Sequence, residues 1–236
     1  MLERMTLAGC GVLHGSFQDR NLPERQGYRY CIVQVDQGHG DRLESEIPYL
    51  LDHSTREFVF CSVEVSEPNE QLSPWSAPAV FREPFGSGAD SFLATLTGRI
   101  LPVIRERYSL SEGTRYIVGG YSLAGLFALW AAYETDYFHG VAAVSPSVWF
   151  PGWEEYICSR RLQAKRAYLS LGNKERKTRI GAMQKVEANI VLQHERFRQQ
   201  LGDSACCLEW NEGNHFQEPD IRMAKGLSWI LREPGF

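Results

Sequence analysis

The chain has 236 residues, 43% of them hydrophobic, which is enough to bury the core of a single α/β domain spanning residues 1–236. The formal net charge is −4 and no strongly basic block is present, which argues against nucleic acid as a partner. No apolar run approaches the ~20 residues of a membrane span, and no basic-then-apolar leader is visible at the N-terminus, so neither a membrane anchor nor a signal peptide is expected.

Short apolar runs rich in β-branched and aromatic residues alternate with longer segments whose apolar residues recur at helical spacing. The predicted strands are 30–35, 58–65, 116–120, 141–145, 167–171 and 206–210. The predicted helices are 90–108 with a kink at Pro102, 123–133, 180–200 and 219–231. This alternation predicts a three-layer αβα sandwich with a mainly parallel sheet. Whether residues 1–29 add antiparallel strands at one edge is left open by the pattern.

The segment 66–88 holds four prolines together with Trp75, Phe81 and Phe85. A long loop that carries aromatic residues in a compact domain is often part of a binding site. The aromatic side chains could equally pin the loop to the core, and the sequence does not decide between the two. Trp75, Trp149 and Trp153 are candidates for lining a substrate pocket, each with the core as its alternative.

The run 116–130 carries the strongest chemical signal. β-formers are followed by Gly119 and Gly120, and then by Ser122 at the start of an Ala- and Leu-rich helix. A serine at the apex of such a strand–turn–helix is the nucleophile elbow of the α/β-hydrolase fold, exposed near a helix N-terminus. The motif is imperfect, because Ala124 stands where G-x-S-x-G has glycine. The alternative is an ordinary turn serine.

A serine hydroxyl needs a base to take its proton, and the base needs an anionic partner that orients it. In this fold the acid and then the histidine follow the serine, in loops beyond the carboxyl ends of later strands. His215 follows the last predicted strand and precedes the helix that begins near Pro219. Glu175 is the first carboxylate after the strand 167–171. Its basic neighbours also permit a solvated turn glutamate.

The oxyanion of a tetrahedral intermediate needs two backbone N–H donors. One is expected from Leu123, the residue after the serine. The other is expected from the loop after the strand 30–35, where Gln37 and Gly38 are the candidates.

Metal ligands and disulfides find little support. His39, Asp41 and Glu44 could be taken as a ligand cluster, but they lack the paired helical histidines or the cysteines of a firm metal site. No metal and no cofactor is therefore expected. The six cysteines show no C-x-x-C spacing and are typical of a reducing, cytoplasmic compartment. They are Cys10, Cys31, Cys61, Cys158, Cys206 and Cys207.

With these residues in place, the sequence resembles the putative-esterase family of the α/β-hydrolases, which contains esterase D, feruloyl esterases and enterochelin-type siderophore esterases. The similarity runs from about residue 28 to the end and is most specific at 119–128 and 145–149. The resemblance implies carboxylic ester hydrolysis without a cofactor. It also implies that Ser122, Glu175 and His215 occupy the triad positions.

The leading hypothesis is thus a serine hydrolase that cleaves a small-molecule carboxylic ester through an acyl-enzyme. An acyltransferase would use the same residues. A non-catalytic binding protein on the same scaffold is the other alternative, and the intact order of serine, acid and histidine argues against it. The sequence identifies neither the ester nor the oligomeric state, so a homo-oligomer stays open.

Overall fold

The computed structural model describes residues 2–17, 28–38, 42–54, 57–80, 82–178 and 180–232. Within them eight strands form one sheet in the order β1-β2-β4-β3-β5-β6-β7-β8. The strands are β1 Glu3–Leu7, β2 Cys10–Phe17, β3 Tyr30–Asp36, β4 Phe58–Glu64, β5 Arg115–Tyr121, β6 Phe138–Val144, β7 Arg166–Gly172 and β8 Cys206–Asn211.

The strands β3 to β8 run parallel to one another, which confirms the mainly parallel sheet predicted from the alternating pattern. At one edge, β1 pairs antiparallel with β2, and β2 pairs antiparallel with β4. The antiparallel edge left open for residues 1–29 is therefore present in their described part. Residues 18–27 lie outside the described residues.

The helices are α1 Leu43–His53, α2 Pro68–Gln71, α3 Ala89–Thr95, α4 Leu101–Arg107, α5 Leu123–Glu134, α6 Trp153–Ser159, α7 Val186–Leu201 and α8 Pro219–Leu231. One face of the sheet is covered by α1 and α8, and the other by α5 and α7. Along β3, Cys31, Val33 and Val35 face the α5 side, whereas Tyr30 and Ile32 face α1 and α8. Both faces of the parallel strands are therefore buried, as an αβα sandwich requires.

The helix predicted over 90–108 is interrupted. A π-helical turn at Leu96–Ile100 separates α3 from α4. Pro102 lies two residues after this turn, and its ring lacks an N–H and would clash with the carbonyl of residue 98 in a regular α-helix. The wider turn accommodates the proline, so the distortion predicted at Pro102 takes the form of a π turn that ends two residues earlier.

We expect Phe127→Ala to lower the free energy of unfolding by about 3–5 kcal/mol, because the Phe127 ring is fully buried and packs 5.0 Å from the Phe92 ring. Phe216→Ala is the matched control: that side chain is 83% exposed, and its removal should cost less than about 0.5 kcal/mol. Urea denaturation followed by circular dichroism measures both. Equal losses in the two variants would contradict the described core.

Candidate active site

Ser122 lies at the sharp turn between β5 and α5. Its backbone angles are φ 59° and ψ −121°, a conformation that residues with a side chain rarely adopt. Two hydrogen bonds hold the turn: the Ser122 N–H donates to the Val144 carbonyl at 3.1 Å, and the Ser147 N–H donates to the Ser122 carbonyl at 3.0 Å. The strained residue is the one predicted as the nucleophile.

The elbow needs glycine on both sides of the serine. A Cβ at Gly120 would lie 2.4 Å from the backbone of Ala124, and a Cβ at Gly125 would lie 2.9 Å from the Gly120 carbonyl oxygen. The end of β5 and the first turn of α5 are in direct contact here. Ala124, which makes the motif imperfect, fits its methyl group into this contact and is buried.

Three side chains from separate loops meet at the carboxyl edge of the sheet. Ser122 Oγ lies 3.0 Å from His215 Nε2, and His215 Nδ1 lies 2.8 Å from Glu175 Oε2. A carboxylate only accepts hydrogen bonds, so Nδ1 carries the proton and Nε2 is left to accept from the serine hydroxyl. The structure thus brings together the three residues that the sequence singled out.

The Glu175 carboxylate is almost fully enclosed, with 5% of its side chain exposed. Its Oε1 accepts hydrogen bonds from the Ser145 hydroxyl at 2.7 Å and from the Gly172 N–H at 2.7 Å. Burial acts to raise the pKa of Glu175, but the hydrogen bond and charge of His215, together with those two hydrogen bonds, lower its pKa below the usual range. The group that orients His215 is therefore a carboxylate anion.

Sequence reasoning missed Arg222 and Ser145. Arg222 is buried in the first turn of α8, and its Nη1 lies 3.3 Å from Glu175 Oε1. A charged residue among the core-facing positions of a helix was the available signal for it. Ser145 has a positive φ of 44° and opens the 145–149 block, which carried the family resemblance without an assigned role.

The loop after β3 lies beside the elbow. The Gln37 side-chain Nε2 donates to the Tyr121 carbonyl at 2.9 Å, which ties this loop to the strand that ends in the nucleophile. Gln37 and Leu123 line the cavity described next, whereas Gly38 does not, although its φ of 89° marks a tight turn there. The assignment of the two oxyanion donors stays a prediction.

A cavity of about 450 Å³ opens over Ser122. Its lining combines apolar side chains with the two lysines Lys174 and Lys177. The apolar members include Phe85, Trp149, Ile180 and Met183.

Of the three tryptophans proposed for the pocket, Trp149 lines this cavity. The prediction is wrong for Trp153, which is fully buried and donates its indole N–H to Gln193 at 3.1 Å. It is also wrong for Trp75, whose ring stacks on Trp153 and whose N–H donates to the Pro151 carbonyl at 2.7 Å. The segment 66–88 therefore does both things considered for it: Trp75 pins it to the core and Phe85 lines the cavity. Phe81 lies outside the described residues.

No group of three or more His, Cys, Asp or Glu side chains in the described part of the chain is placed to hold a metal ion. Glu44 lies in the first turn of α1, while His39 and Asp41 fall outside the described ranges. All six cysteines are unpaired. Among the described helices, none has the length and apolar character needed to span a membrane.

The parallel sheet, the strained serine and its hydrogen bond to histidine define an α/β serine hydrolase. A family model described as "Putative esterase" matches residues 22–205. The chain therefore belongs to this esterase family, as its resemblance implied, and is a carboxylic ester hydrolase. His215 and Arg222 lie beyond the matched range.

Solved structures share the fold at low sequence identity. An IroE-like serine hydrolase from Shewanella oneidensis is similar with a TM-score of 0.73 and 12% identity, over 97% of this chain and 79% of that one. Siderophore hydrolase EstB from Aspergillus nidulans is similar with a TM-score of 0.71 and 18% identity, over 98% of this chain and 93% of that one. The enterobactin esterase FES from Shigella flexneri has a TM-score of 0.69 and 13% identity, over 97% of this chain and 59% of that one. No protein with a curated description matches the sequence.

We expect Gly120→Ala to destabilise the fold by about 3 kcal/mol or more and to abolish activity, because the added Cβ would meet the Ala124 backbone. Gly98→Ala is the matched control. A Cβ at Gly98 meets nothing within 4 Å, so the free energy of unfolding of this variant should lie within about 1 kcal/mol of that of the parent. Thermal unfolding measures both. A Gly120→Ala protein as stable as Gly98→Ala would show that the elbow is looser than described.

Proposed function

We propose that the protein hydrolyses a carboxylic ester through an acyl-enzyme, with Ser122 as nucleophile, His215 as general base and acid, and Glu175 as the anion that orients His215. The observation that carries this proposal is the continuous chain of hydrogen bonds from Ser122 Oγ through both ring nitrogens of His215 to Glu175. A hydroxyl so placed can lose its proton to Nε2 without any side chain moving.

In the first half of the reaction, Ser122 Oγ attacks the ester carbonyl carbon while its proton passes to His215 Nε2. The carboxylate of Glu175 stays ionised and stabilises the imidazolium that forms. Collapse of the tetrahedral intermediate breaks the bond to the alcohol, which leaves with the proton from Nε2. A water molecule then attacks the acyl-serine, again giving a proton to Nε2, and Ser122 recovers its hydroxyl hydrogen as the acid departs.

The negative charge that develops on the carbonyl oxygen needs donors near the elbow. The N–H groups of the first turn of a helix have no partner within the helix, and Leu123 is the first residue of α5. Its N–H is the proposed first donor. The loop of Gln37 and Gly38 is the proposed source of the second, which is supported by its attachment to Tyr121.

Ser122→Ala should reduce kcat/KM for a p-nitrophenyl ester by about 10,000-fold or more, since the nucleophile is lost. A fluorophosphonate probe should label the parent protein and not the variant, as read by intact mass spectrometry. Ser159→Ala is the control, because this exposed hydroxyl donates to the Tyr156 carbonyl and does not line the cavity. Undiminished turnover in Ser122→Ala would refute the mechanism, and a folded parent that resists the probe would favour a binding protein.

The cavity also suggests a class of ester. The ammonium groups of Lys174 and Lys177 have no hydrogen-bonded or ion-pair partner among the described residues, and both line the cavity beside the apolar wall of Trp149 and Phe85. Such a lining favours an ester with an apolar body and a negatively charged substituent. Siderophores, which the Aspergillus nidulans enzyme is named for hydrolysing, and enterobactin, for which the Shigella flexneri esterase is named, are the first natural compounds to assay.

For two synthetic esters that differ only in a carboxylate against its neutral amide, we expect kcat/KM to favour the anion by about 2–5-fold, as suits exposed ion pairs. The double variant Lys174→Gln, Lys177→Gln should remove that preference, and added salt should weaken it. The control is a second double variant, Lys165→Gln with Lys185→Gln, which removes the same number of charges from exposed lysines that do not line the cavity. Equal preference in the double variant and the control would contradict this role.

A further inference from the structure

We propose that Arg222, acting with Ser145, is a positioning residue of the hydrolytic site that fixes the Glu175 carboxylate in one orientation and offsets its charge. The proposal rests on the function proposed above. It goes further, because it gives two residues outside the triad, one of them a cation on α8, a role in setting the charge and orientation of the triad acid.

The first support is that the two carboxylate oxygens of Glu175 have different hydrogen-bond partners. Oε1 faces the Ser145 hydroxyl at 2.7 Å, the Gly172 N–H at 2.7 Å and Arg222 Nη1 at 3.3 Å. Oε2 faces His215 Nδ1 at 2.8 Å. With Oε1 occupied on every side, a rotation of the carboxylate would break several hydrogen bonds at once. The oxygen that serves His215 is thus fixed.

The second support is the location of Arg222. It is 1% exposed, and a buried guanidinium is costly unless it is paired. Its Nη1 contacts Glu175 and Ser145, and its Nη2 donates to the Glu212 carbonyl at 2.7 Å. Glu212 lies in the loop that leads to His215. One side chain of α8 therefore holds both the acid and the loop that carries the base.

Backbone atoms pack tightly against the contact between Arg222 and Glu175. A Cβ placed on Gly172 would lie 3.0 Å from Arg222 Nη1, 3.0 Å from Glu175 Oε1 and 2.5 Å from the Gly213 carbonyl oxygen. The backbone at Gly172 and Gly213 therefore lies directly against the contact between the arginine and the carboxylate.

The charge of Arg222 has a chemical consequence for His215. A buried carboxylate alone would favour the imidazolium form, in which the histidine cannot accept the serine proton. The guanidinium next to Glu175 offsets that effect. The other polar and charged groups around the pair are the Tyr121 hydroxyl, which donates to the His215 carbonyl at 2.6 Å, Lys174 and Lys177 on the cavity lining, and the Glu212 carboxylate, which accepts from Asn173.

The test is the pH dependence of kcat/KM in Arg222→Met and Arg222→Lys. Removal of the charge in Arg222→Met should move the acid limb of the profile to higher pH by about one unit, because a nearby charge changes the pKa of an ionisable group by about that much. Arg222→Lys keeps the charge and should leave the limb in place, with a lower kcat because the fork-shaped contact is lost. Ser145→Ala, which removes a donor to the same oxygen, should lower kcat and give a smaller upward shift.

Arg166→Met is the matched control. Arg166 is also buried, with its guanidinium 4.5 Å from the Trp229 ring, but it lies at the amino end of β7, about 20 Å along the strand from the site. Its loss should affect stability and leave the acid limb unmoved.

An unmoved limb in a folded Arg222→Met protein would overturn the proposal, since a structural residue lowers activity equally at every pH. If Arg222→Met does not fold, Ser145→Ala and Arg222→Lys decide: an unmoved limb in the first, or a limb shifted by one unit in the second, would also overturn it. Failure of the proposed function itself has a different signature, namely turnover in Ser122→Ala equal to that of the parent.

Discussion

The carboxylate of Glu175 is where four separate parts of the chain meet. Donors reach it from the turn after β6, the end of β7, the loop after β8 and the first turn of α8. A charge withdrawn from water must be compensated by such donors, or it neutralises instead. The same contacts that keep it ionised also fix the positions of the loops that supply them. A substitution that removes one of these donors should therefore disturb both the charge of Glu175 and the position of the loops at this edge of the sheet.

The elbow depends on a different constraint, which is packing. The conformation of Ser122 is unfavourable in itself and persists only where the surroundings impose it. The helix α5 provides that constraint, because nearly every residue of it is buried and it packs directly on β5 and β6. Gly120 and Gly125 then let the strand and helix come close enough to hold the turn. Apolar burial thus offsets local strain at the reactive residue.

Local patterns were enough to predict the parallel sheet and to select Ser122, Glu175 and His215, because strand periodicity, turn glycines and chain order are all visible in one dimension. The helix α1 was missed, since Pro48 interrupts its pattern. The pocket assignment failed for Trp75 and Trp153 because composition does not show which way a ring faces. Ser145 and Arg222 could not be assigned, since their role depends on contacts across many residues of sequence with a group that only the fold brings near.

The spacing of the site along the chain has a consequence for folding. The hydrogen bond between Ser122 and His215 joins residues 93 apart, and the one between Glu175 and His215 joins residues 40 apart. Loop closure over such separations costs chain entropy, so the site forms more slowly than local helices do. In a refolding experiment, ester hydrolysis is therefore expected to return later than the helical signal.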